Sequence, residues 1–394
     1  MSEYLPLGEC CNHILDFRGR TPLKLGMDWG GGNIPALSAN NVKDGYIDFQ
    51  KECNVGSDDL YRAWMTRGDC RKGDILFTME APMGNVAQVP DNGKYILSQR
   101  VILISPKSKV VCGNYLFHFL RSDEFRKQCD YLATGTTAKG IKQANLVGIE
   151  IPIPPLPEQK KIAEILSRID HLIRREDECH DAMSSLLQSH LRSQRFSNGE
   201  SIAISDACLL VADCMHKTPV FEETGFPIVR TPNVRDGMLV HEGMKFISEE
   251  SYREWIQKDK PEPGDILFTR EAPLGEACLV PKDFPLCIGQ RMMLLRANPR
   301  ILSPEFLLFR LRSLATQQKL QLLSGGSTVG HANVKDIRNL EIEIPNESEQ
   351  RIAISIYESI SCCIDKHATK KQKLLHLKQA LATDLLSGRK RVSI

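Results

Sequence analysis

One stretch of sequence occurs twice in the chain and decides the fold. Residues 73–90 read GDILFTMEAPMGNVAQVP, and residues 264–281 read GDILFTREAPLGEACLVP, at an offset of 191 (264 − 73). The same offset pairs further segments: Trp64 with Trp255, Gln99-Arg100 with Gln290-Arg291, Gly135-Thr136-Thr137 with Gly326-Ser327-Thr328, and Glu158-Gln159 with Glu349-Gln350. Similarity held at one offset over this span indicates an internal duplication, which changes how every shorter pattern is interpreted.

Each copy has the same predicted order of elements. Short β-type runs at 74–78, 86–89 and 100–104 are separated by Gly, Pro and Asn turns. A helical segment follows at 114–132, mirrored at 304–323. A Gly/Thr-rich loop then leads to an alternating strand near 149–153, which ends at prolines. Each half is therefore predicted to be a β-rich domain with some helix.

After the prolines, the apolar period changes from two to about three and a half, the spacing of a coiled coil. The first seam contains Ile162, Leu166, Ile169, Ile173, Glu176, His180, Met183, Leu187 and His190, and the second contains Ile356, Ile360, Cys363, His367, Lys370, Leu374, Leu377 and Leu381. Each pattern predicts a helix of about 35 residues, or ~50 Å. Glu176 is expected opposite His367 or Lys370.

The sequence thus predicts an α+β protein with two similar β-rich domains, separated by two long helices that form an antiparallel coiled coil. The predicted boundaries are 1–156 for the first domain, 157–197 for the first helix, 198–346 for the second domain and 347–394 for the second helix. Two similar domains on a rigid spacer suit a long, regular partner such as duplex DNA, one turn of which is ~34 Å.

Composition excludes several classes of protein. The chain is 42% hydrophobic and 25% charged with a net charge of +2, so disorder is disfavoured and nucleic-acid binding must come from local basic clusters. No apolar run approaches the ~20 residues of a membrane span, and no secretory signal is recognisable, so a cytosolic protein is expected. The 13 cysteines include no Cys-x-x-Cys pair, which predicts reduced thiols and no metal site.

Signatures of catalysis are weak. Residues 68–73 have the glycine spacing of a phosphate-binding loop, but Asp74 follows where Lys and Ser or Thr are needed. Gly30-Gly31-Gly32 lacks the spacing of a dinucleotide fold, and no Asn/Asp-Pro-Pro-aromatic motif of amino-methyltransferases is present. The sequence favours a chain that is not itself an enzyme. A coiled-coil scaffold that binds only proteins is the alternative, although it leaves the duplicated domains unexplained.

Three motifs carry a resemblance to a known family. PPLPEQKKIA at 154–163, GTTAKGI at 135–141 and the GDILFT repeat resemble the specificity subunits of type I restriction-modification systems. The second copy departs from this pattern, with Asn346-Glu347-Ser348 before Glu349-Gln350 and Gly330-His331-Ala332 in place of Lys139-Gly140-Ile141. The first departure weakens the helix stop signal but not the assignment, and the second could alter a DNA contact.

The resemblance implies that each domain, as a target-recognition domain, reads one half of a split DNA target, while the helices set the gap. It also implies assembly with two adenine methyltransferase subunits and with restriction/translocase subunits. S-adenosylmethionine, ATP and magnesium are expected on those partners, and no cofactor on this chain. The residues expected to dock the methyltransferase subunits are Glu158, Gln159, Ile162, Glu349 and Gln350.

Candidate DNA contacts are polar residues in loops, because such side chains reach base edges and phosphates. In the first copy they are Arg18, Arg20, Thr21, Ser38, Asn40, Asn41, Thr78, Glu80, Arg100, Thr136, Thr137, Lys139 and Lys142; in the second they are His216, Lys217, Thr218, Arg230, Thr231, Asn233, Thr269, Arg270, Glu271, Arg291, Ser327, Thr328 and His331. Any of them could instead be an ordinary solvated loop residue. Gln99-Arg100 and Gln290-Arg291 could serve as a scaffold bond or a phosphate grip, and the loop at 135–142 as a phosphate cradle or a tight turn.

Overall fold

A computed structural model describes residues 3–135, 139–193, 196, 199–324 and 330–392. The chain forms two compact units, unit 1 (Met1–Asp177 with Thr369–Ile394) and unit 2 (Glu178–Ala368). The division falls within the two long helices, so each unit contains part of both. The prediction instead separated the helices from the domains, and its boundaries remain a prediction.

Unit 1 mixes short strands with short helices before the first long helix. Its elements are β1 (Glu3–Pro6), β2 (Cys11–Asp16), β3 (Ile34–Leu37), β4 (Val55–Gly56), α1 (Asp58–Trp64), β5 (Ile75–Thr78), β6 (Val86–Gln88), β7 (Ile96–Leu97), β8 (Val101–Pro106), α2 (Gly113–Leu120), α3 (Asp123–Leu132), α4 (Gln143–Val147), β9 (Glu150–Ile153) and the beginning of α5 (Leu156–Ser193).

Unit 2 repeats this order with two additional short strands, and its one-turn helix α6 takes the place of a 3-10 turn at Leu7–Cys10 in unit 1. Its elements are the end of α5, β10 (Glu200–Ala203), α6 (Ile204–Ala207), β11 (Cys208–Asp213), β12 (Phe226–Val229), β13 (Val234–Arg235), β14 (Met238–Leu239), β15 (Lys245–Ile247), α7 (Glu249–Trp255), β16 (Ile266–Thr269), β17 (Ala277–Leu279), β18 (Cys287–Ile288), β19 (Met292–Ala297), α8 (Pro304–Arg312), α9 (Leu314–Leu323), α10 (Val334–Arg338), β20 (Glu341–Ile344) and the first part of α11 (Glu347–Leu386). The remainder of α11 belongs to unit 1.

A four-stranded antiparallel sheet lies at the centre of each unit. Its strand order is β2-β8-β5-β6 in unit 1 and β11-β19-β16-β17 in unit 2. All four residues of β5 and of β16 are buried, because apolar side chains on both faces enter separate cores. In unit 1, Ile75 and Phe77 pack towards the helices while Leu76 packs towards the second sheet. The GDILFT repeat is therefore the centre of both cores.

Two smaller sheets complete each unit. A mixed three-stranded sheet has the order β4-β3-β7 in unit 1 and β15-β12-β18 in unit 2. A two-stranded antiparallel sheet pairs β1 with β9 in unit 1 and β10 with β20 in unit 2, so the first strand of each copy contacts the strand that precedes a long helix. The fold of mixed helix and sheet with two long helices is confirmed, and the two copies share one topology.

In unit 1, the segments of α5 and α11 lie side by side and run antiparallel. Asp170 contacts Lys378 and Asp177 contacts Lys371, each at 2.5 Å, so residue numbers rise along one helix as they fall along the other. Lys370 Nζ lies 2.6 Å from Glu176 Oε1, and Lys370 is one of the two partners predicted for Glu176.

The predicted seam of α11 was wrong in phase. Ile356 and Leu377 are 42% and 48% exposed, whereas Tyr357 is buried and Lys378 is mostly covered. Ile360, His367, Leu374 and Leu381 belong to both the predicted and the observed seam, whereas each of the other predicted positions lies one residue before the position that is covered. The four shared residues, spaced seven apart, are compatible with either choice of the positions between them. The prediction followed the apolar Ile356 and Leu377, but the true seam includes lysines paired with acids of α5.

The helical segment predicted at 114–132 is two helices, α2 and α3. Ser122 adopts an extended conformation and its hydroxyl accepts a hydrogen bond from the Phe125 amide, which starts α3 anew. Ser313 breaks the second copy in the same way. The short helix α4, between the Gly/Thr-rich loop and β9, was not predicted.

The start of α11 is better defined than its sequence suggested. Asn346 Oδ1 accepts a hydrogen bond from the Glu349 amide at 3.0 Å, and the Asn346 side-chain amide donates to Glu349 Oε2 at 3.0 Å. Asparagine is among the strongest N-cap residues, so it replaces the proline-based start of α5.

Candidate nucleic-acid interface

Three loops meet at one end of the central sheet of unit 1. They are residues 79–84 after β5, 98–100 before β8, and 139–141 before α4, here called loop cluster 1. The Met79 amide donates to the Arg100 carbonyl at 2.8 Å, and the Ile141 amide donates to the Met79 carbonyl at 3.1 Å. Glu80 forms a β-bridge with Gly140, so the backbone fixes all three loops to one another.

Unit 2 contains the same arrangement in residues 270–275, 289–291 and 330–332, here called loop cluster 2. The Arg270 amide donates to the Arg291 carbonyl at 3.0 Å, and the Ala332 amide donates to the Arg270 carbonyl at 3.0 Å. Glu271 forms a β-bridge with His331, at the position of Gly140 in the first copy. The backbone of the cluster is therefore the same in both copies, while some of its side chains differ.

An arginine in a left-handed conformation lies at the same place in both clusters. Arg100 and Arg291 each have φ of +67°, a region that non-glycine residues adopt infrequently and at a cost of ~1–3 kcal/mol. Their side chains are 48% and 60% exposed, and their Nε atoms lie 3.5 Å from Glu80 and 2.9 Å from Glu271, respectively. The fold thus presents one exposed arginine beside one glutamate at each cluster.

Loop cluster 2 contains additional charged groups. Glu271 also contacts His331 Nδ1 at 3.2 Å, and Asp213 at the end of β11 contacts His216 Nε2 at 3.0 Å. Arg270 lies between the two acids, with Nε 3.3 Å from Asp213 but no aligned hydrogen bond to it. Methionine stands at the Arg270 position in unit 1, so the two clusters offer different chemistry on one framework.

Asp16 and Asp213 were not among the predicted site residues. Asp16 ends β2 as Asp213 ends β11, and its carboxylate accepts hydrogen bonds from the Arg18 side chain at 2.6–3.0 Å. Burial alone would raise the pKa of Asp16, but the hydrogen bonds and positive charge of Arg18 bring it below the usual value. Their shared position at the end of equivalent strands was the signal that could have identified them.

Four of the predicted contact residues instead have fully buried side chains that bond to the chain's own backbone. Asn41 Nδ2 donates to the Lys51 carbonyl, and Asn233 Nδ2 donates to the Val240 carbonyl, both at 3.1 Å. The Thr78 hydroxyl accepts from the Asn85 amide at 2.8 Å, and the Thr269 hydroxyl accepts from the Glu276 amide at 2.9 Å. Because all four are 0% exposed, they hold turns in place.

Four further candidates of the first copy, Arg20, Thr21, Ser38 and Asn40, lie in two other loops. Arg20 donates to the Ala63 and Trp64 carbonyls and to the Thr66 hydroxyl, which ties its loop to the end of α1. The remaining members of these loops are Thr21, which accepts from the Lys24 amide at 3.3 Å, Ser38, which donates to Asn41 Oδ1 at 3.1 Å, and Asn40, which is exposed. The Ala39 amide donates to the Gln99 carbonyl at 3.3 Å, so the 38–41 turn adjoins loop cluster 1.

Among the corresponding candidates of the second copy, some side chains also bond within the chain and others are exposed. Lys217 Nζ pairs with Glu254 at 2.9 Å, and Thr218 is exposed. Arg230 donates to the Gly243 carbonyl at 3.3 Å, and Thr231 is buried. The Gly289 amide donates to the Val229 carbonyl at 2.8 Å, which places the turn at 230–233 next to loop cluster 2.

The Gly/Thr-rich loop is described only in part. Lys139 is mostly exposed, with Nζ 3.7 Å from Asp130, and Lys142 is exposed just before α4. Thr136, Thr137, Ser327 and Thr328 lie outside the described residues. The use of all these residues in DNA contacts remains a prediction.

The residues predicted to dock a methyltransferase subunit are largely covered by their own unit. Gln159 is 0% exposed; its side chain accepts from the Cys112 amide at 2.7 Å and donates to the Val110 and Pro154 carbonyls. Gln350 donates in the same way to the Ile301 and Pro345 carbonyls. The other three are Glu158, which is buried and pairs with Arg391 at 2.6 Å, Ile162, which is buried, and Glu349, which bonds to Asn346. Their docking role remains a prediction.

The described part of the chain has neither a group of potential metal ligands nor a helix suited to a membrane. Within it, no three histidine, cysteine or acidic residues are grouped so that they could hold a metal ion. None of its helices combines the length and apolar character needed to cross a lipid bilayer.

The family model described as type I restriction modification DNA specificity domain matches residues 2–178 and 211–376. Two subunits from Methanocaldococcus jannaschii are similar: the putative type I restriction enzyme MjaX specificity subunit, 24% identical with 91% of this chain and 87% of that one covered, and the type I restriction enzyme MjaVIII specificity subunit, 23% identical with 99% and 93% covered.

Solved structures show the same fold. The crystal structure of a type I restriction-modification S subunit from M. genitalium matches with a TM-score of 0.61 at 15% identity, covering 98% of this chain and 96% of that one. A chain from a study of complex assembly in a type I system matches with a TM-score of 0.58 at 19% identity, covering 98% and 97%. Because the family model spans both copies of the repeat, the chain belongs to the type I restriction-modification DNA specificity family, as a recognition subunit and not a catalytic one.

Proposed function

We propose that units 1 and 2 each read one half of a bipartite DNA target, through loop clusters 1 and 2. The observation that carries this proposal is the recurrence of one backbone arrangement with different side chains. Arg100 and Arg291 are common to both clusters, whereas Met79 is replaced by Arg270 and Gly140 by His331. Two half-sites of different sequence require this combination of a constant framework and variable contacts.

The common and variable residues receive different roles in this proposal. Arg100 and Arg291 grip phosphates, because a contact to the DNA backbone fixes register without depending on sequence. The residues that differ between the copies reach base edges in the major groove, where arginine favours guanine. Arg18 in unit 1 and Arg270, His216 and His331 in unit 2 are the leading candidates. The carboxylates of Asp16, Asp213 and Glu271 keep these side chains oriented before DNA arrives.

The long helices form an antiparallel coiled coil that sets the gap between the two half-sites. Support comes from their lengths of 38 and 40 residues, or ~60 Å each, and from the acid–lysine pairs that fix their register within unit 1. The two similar proteins from Methanocaldococcus jannaschii are named as specificity subunits of type I restriction enzymes. This chain accordingly assembles with two adenine methyltransferase subunits and with restriction subunits, which bring S-adenosylmethionine, ATP and magnesium.

Methylation mapping tests the proposal directly. In cells that contain intact partner subunits, single-molecule sequencing is expected to detect methylated adenines in two short motifs separated by a fixed unread gap. An unbroken motif, or no motif, would contradict it.

A spacer variant tests the role of the helices. Seven residues inserted in both α5 and α11 preserve the seam and lengthen the spacer by ~10 Å, so the gap should grow by about three base pairs at 3.4 Å each. Insertion into α5 alone serves as the control, because it destroys the register and should abolish methylation. An unchanged gap in the double insertion would reject the spacer role.

A further inference from the structure

A cavity of about 360 Å³ in unit 2 contains an arginine that forms no ion pair with any described residue. The cavity lies between the α5 segment that includes Leu187, the α11 segment around Tyr357, and Arg312 at the end of α8. Arg312 is half-buried, and its only hydrogen bond to a described residue is donated by Nη1 to the Tyr357 hydroxyl. A guanidinium partly removed from water without an opposing charge is costly, which indicates a site for an anionic group.

The equivalent position in unit 1 shows how such an arginine is neutralised within the chain. Unit 1 has a cleft of about 490 Å³ lined by Arg121, at the position of Arg312. Arg121 contacts Asp170 and Asp44 at 2.8 Å each, and Lys378 contacts Asp170 at 2.5 Å. Asp170 corresponds at the offset of 191 to Ser361, which lines the unit 2 cavity. A serine thus stands where the first copy has Asp170, one of the two carboxylates that neutralise Arg121; the other, Asp44, corresponds to Asp236 when the repeat is shifted by one residue.

The remaining lining restricts which anion fits. Asp236 and Asp365 also line the cavity, yet neither lies within 4.0 Å of a described cationic nitrogen. A purely anionic ligand would be repelled by these two carboxylates. Leu187, Leu308 and Ile364 supply apolar surface, and the volume is in the range of small-molecule sites.

We propose that this cavity binds a small zwitterion of the α-amino-acid type with an apolar body. Its carboxylate takes the place of the missing Asp170 equivalent and accepts hydrogen bonds from Arg312, the strongest geometry available to a guanidinium. Its ammonium group faces Asp236 and Asp365, and its apolar body packs on the leucines and Ile364. The site lies apart from loop cluster 2, so it does not depend on the DNA-reading proposal.

Three matched probes separate the parts of this proposal in ligand-observed NMR titrations of the full chain. L-Phenylalanine carries both charges, phenylalaninamide lacks the carboxylate, and 3-phenylpropionate lacks the ammonium group. Binding of L-phenylalanine is expected near ~1 mM, typical of so small a ligand, with each other probe at least ~10-fold weaker.

Two variants locate the site. Ser361→Asp supplies the carboxylate present in unit 1 and is expected to weaken L-phenylalanine binding at least ~10-fold; Arg312→Gln should do the same by removing the cation. Ser355→Asp, the same change at an exposed position of α11 outside the cavity, is the control and should leave binding unchanged. Circular dichroism checks that each variant is folded.

Several results would overturn the proposal. Equal binding of 3-phenylpropionate would show a simple anion site, and undiminished binding in both Ser361→Asp and Arg312→Gln would place the ligand elsewhere. Failure of all three probes, with methyltransferase assembly lost in Ser361→Asp but not in Ser355→Asp, would show that the cavity receives a protein side chain instead.

Discussion

Arg121 of unit 1 and Arg312 of unit 2 occupy equivalent positions in one duplicated fold, but their surroundings differ. Arg121 lies in a network with Asp44, Asp170 and Lys378, whereas the only hydrogen bond between Arg312 and a described residue is to the Tyr357 hydroxyl. Burial raises the pKa of Asp170, but its two cationic neighbours bring the pKa below the usual value. The apolar strands preserve the fold, so charged groups at its edges could diverge after duplication.

Removal of the Asp170 carboxylate from this network is expected to change the stability of the protein more than any other substitution considered below. Asp170→Ser leaves two largely covered cations in unit 1 without their shared partner, so we expect a loss of ~3 kcal/mol in the free energy of unfolding. Hydrogen exchange of the α2 amides would measure it within unit 1. The matched Ser361→Asp change in unit 2 should alter stability by less than ~1 kcal/mol. Equal losses would show that the two surroundings do not differ energetically.

A smaller difference in stability is expected between variants of the two glutamines that hydrogen-bond the start of each long helix to its unit. Gln159 satisfies three backbone groups and Gln350 satisfies two. We expect Gln159→Ala to cost ~2–3 kcal/mol and Gln350→Ala ~1–2 kcal/mol, because each leaves buried polar groups unpaired. Denaturant unfolding of both variants tests this order, and a larger loss for Gln350→Ala would contradict it.

Unit 1 also contains a buried histidine where unit 2 has Phe309. Burial lowers the pKa of His118 to about 4, and its Nε2 lies 2.8 Å from the Ser167 hydroxyl. The folded state therefore binds fewer protons than the unfolded state below about pH 6.5, and stability falls as pH drops towards 4. Between pH 7 and pH 5 the loss should be ~1–2 kcal/mol.

His118→Gln should remove this part of the pH dependence, because glutamine does not titrate. The comparison of wild type and variant by hydrogen exchange of α2 at both pH values checks it. An unchanged pH dependence would show that His118 is not its source. The carboxyl groups with lowered pKa values, such as Asp170, lose their contribution only below their ordinary values and do not interfere in this window.

The smallest effect concerns the common arginines of the loop clusters. Arg100→Gln and Arg291→Gln should each weaken DNA binding of the assembled complex by about tenfold, without changing the preferred target. Binding titrations at two salt concentrations would show a salt dependence reduced by about one phosphate contact. A changed target preference would reassign these arginines to base reading.

The duplicated core could be predicted from sequence because residues 73–78 and 264–269 are identical, and each contains three consecutive apolar residues, Ile-Leu-Phe. The phase of the α11 seam could not be predicted, because Ile356 and Leu377 are apolar residues that lie on an exposed face of the helix. Both helix breaks were marked by Ser122 and Ser313, but serine is also common in loops and within helices.

The candidate site could be predicted only as a set of loops. Asn41 and Thr78 have side chains that could hydrogen-bond bases. Only the structure shows that their polar atoms already form hydrogen bonds with backbone groups of their own turns. Asp16 and Asp213 went unnoticed because their importance lies in contacts with residues brought together by folding. The sequence identifies residues whose side chains could contact DNA, but burial and hydrogen-bond partners in the folded chain decide which of them are available to do so.

Exchange of one recognition domain would show whether each unit reads its own half of the target. Residues 1–156 would be replaced by the corresponding domain of another family member, and adenine methylation mapped across the genome in cells with intact partners. We predict that one half of the motif changes while the other half and the gap remain. A motif altered in both halves, or unchanged in both, would contradict the account.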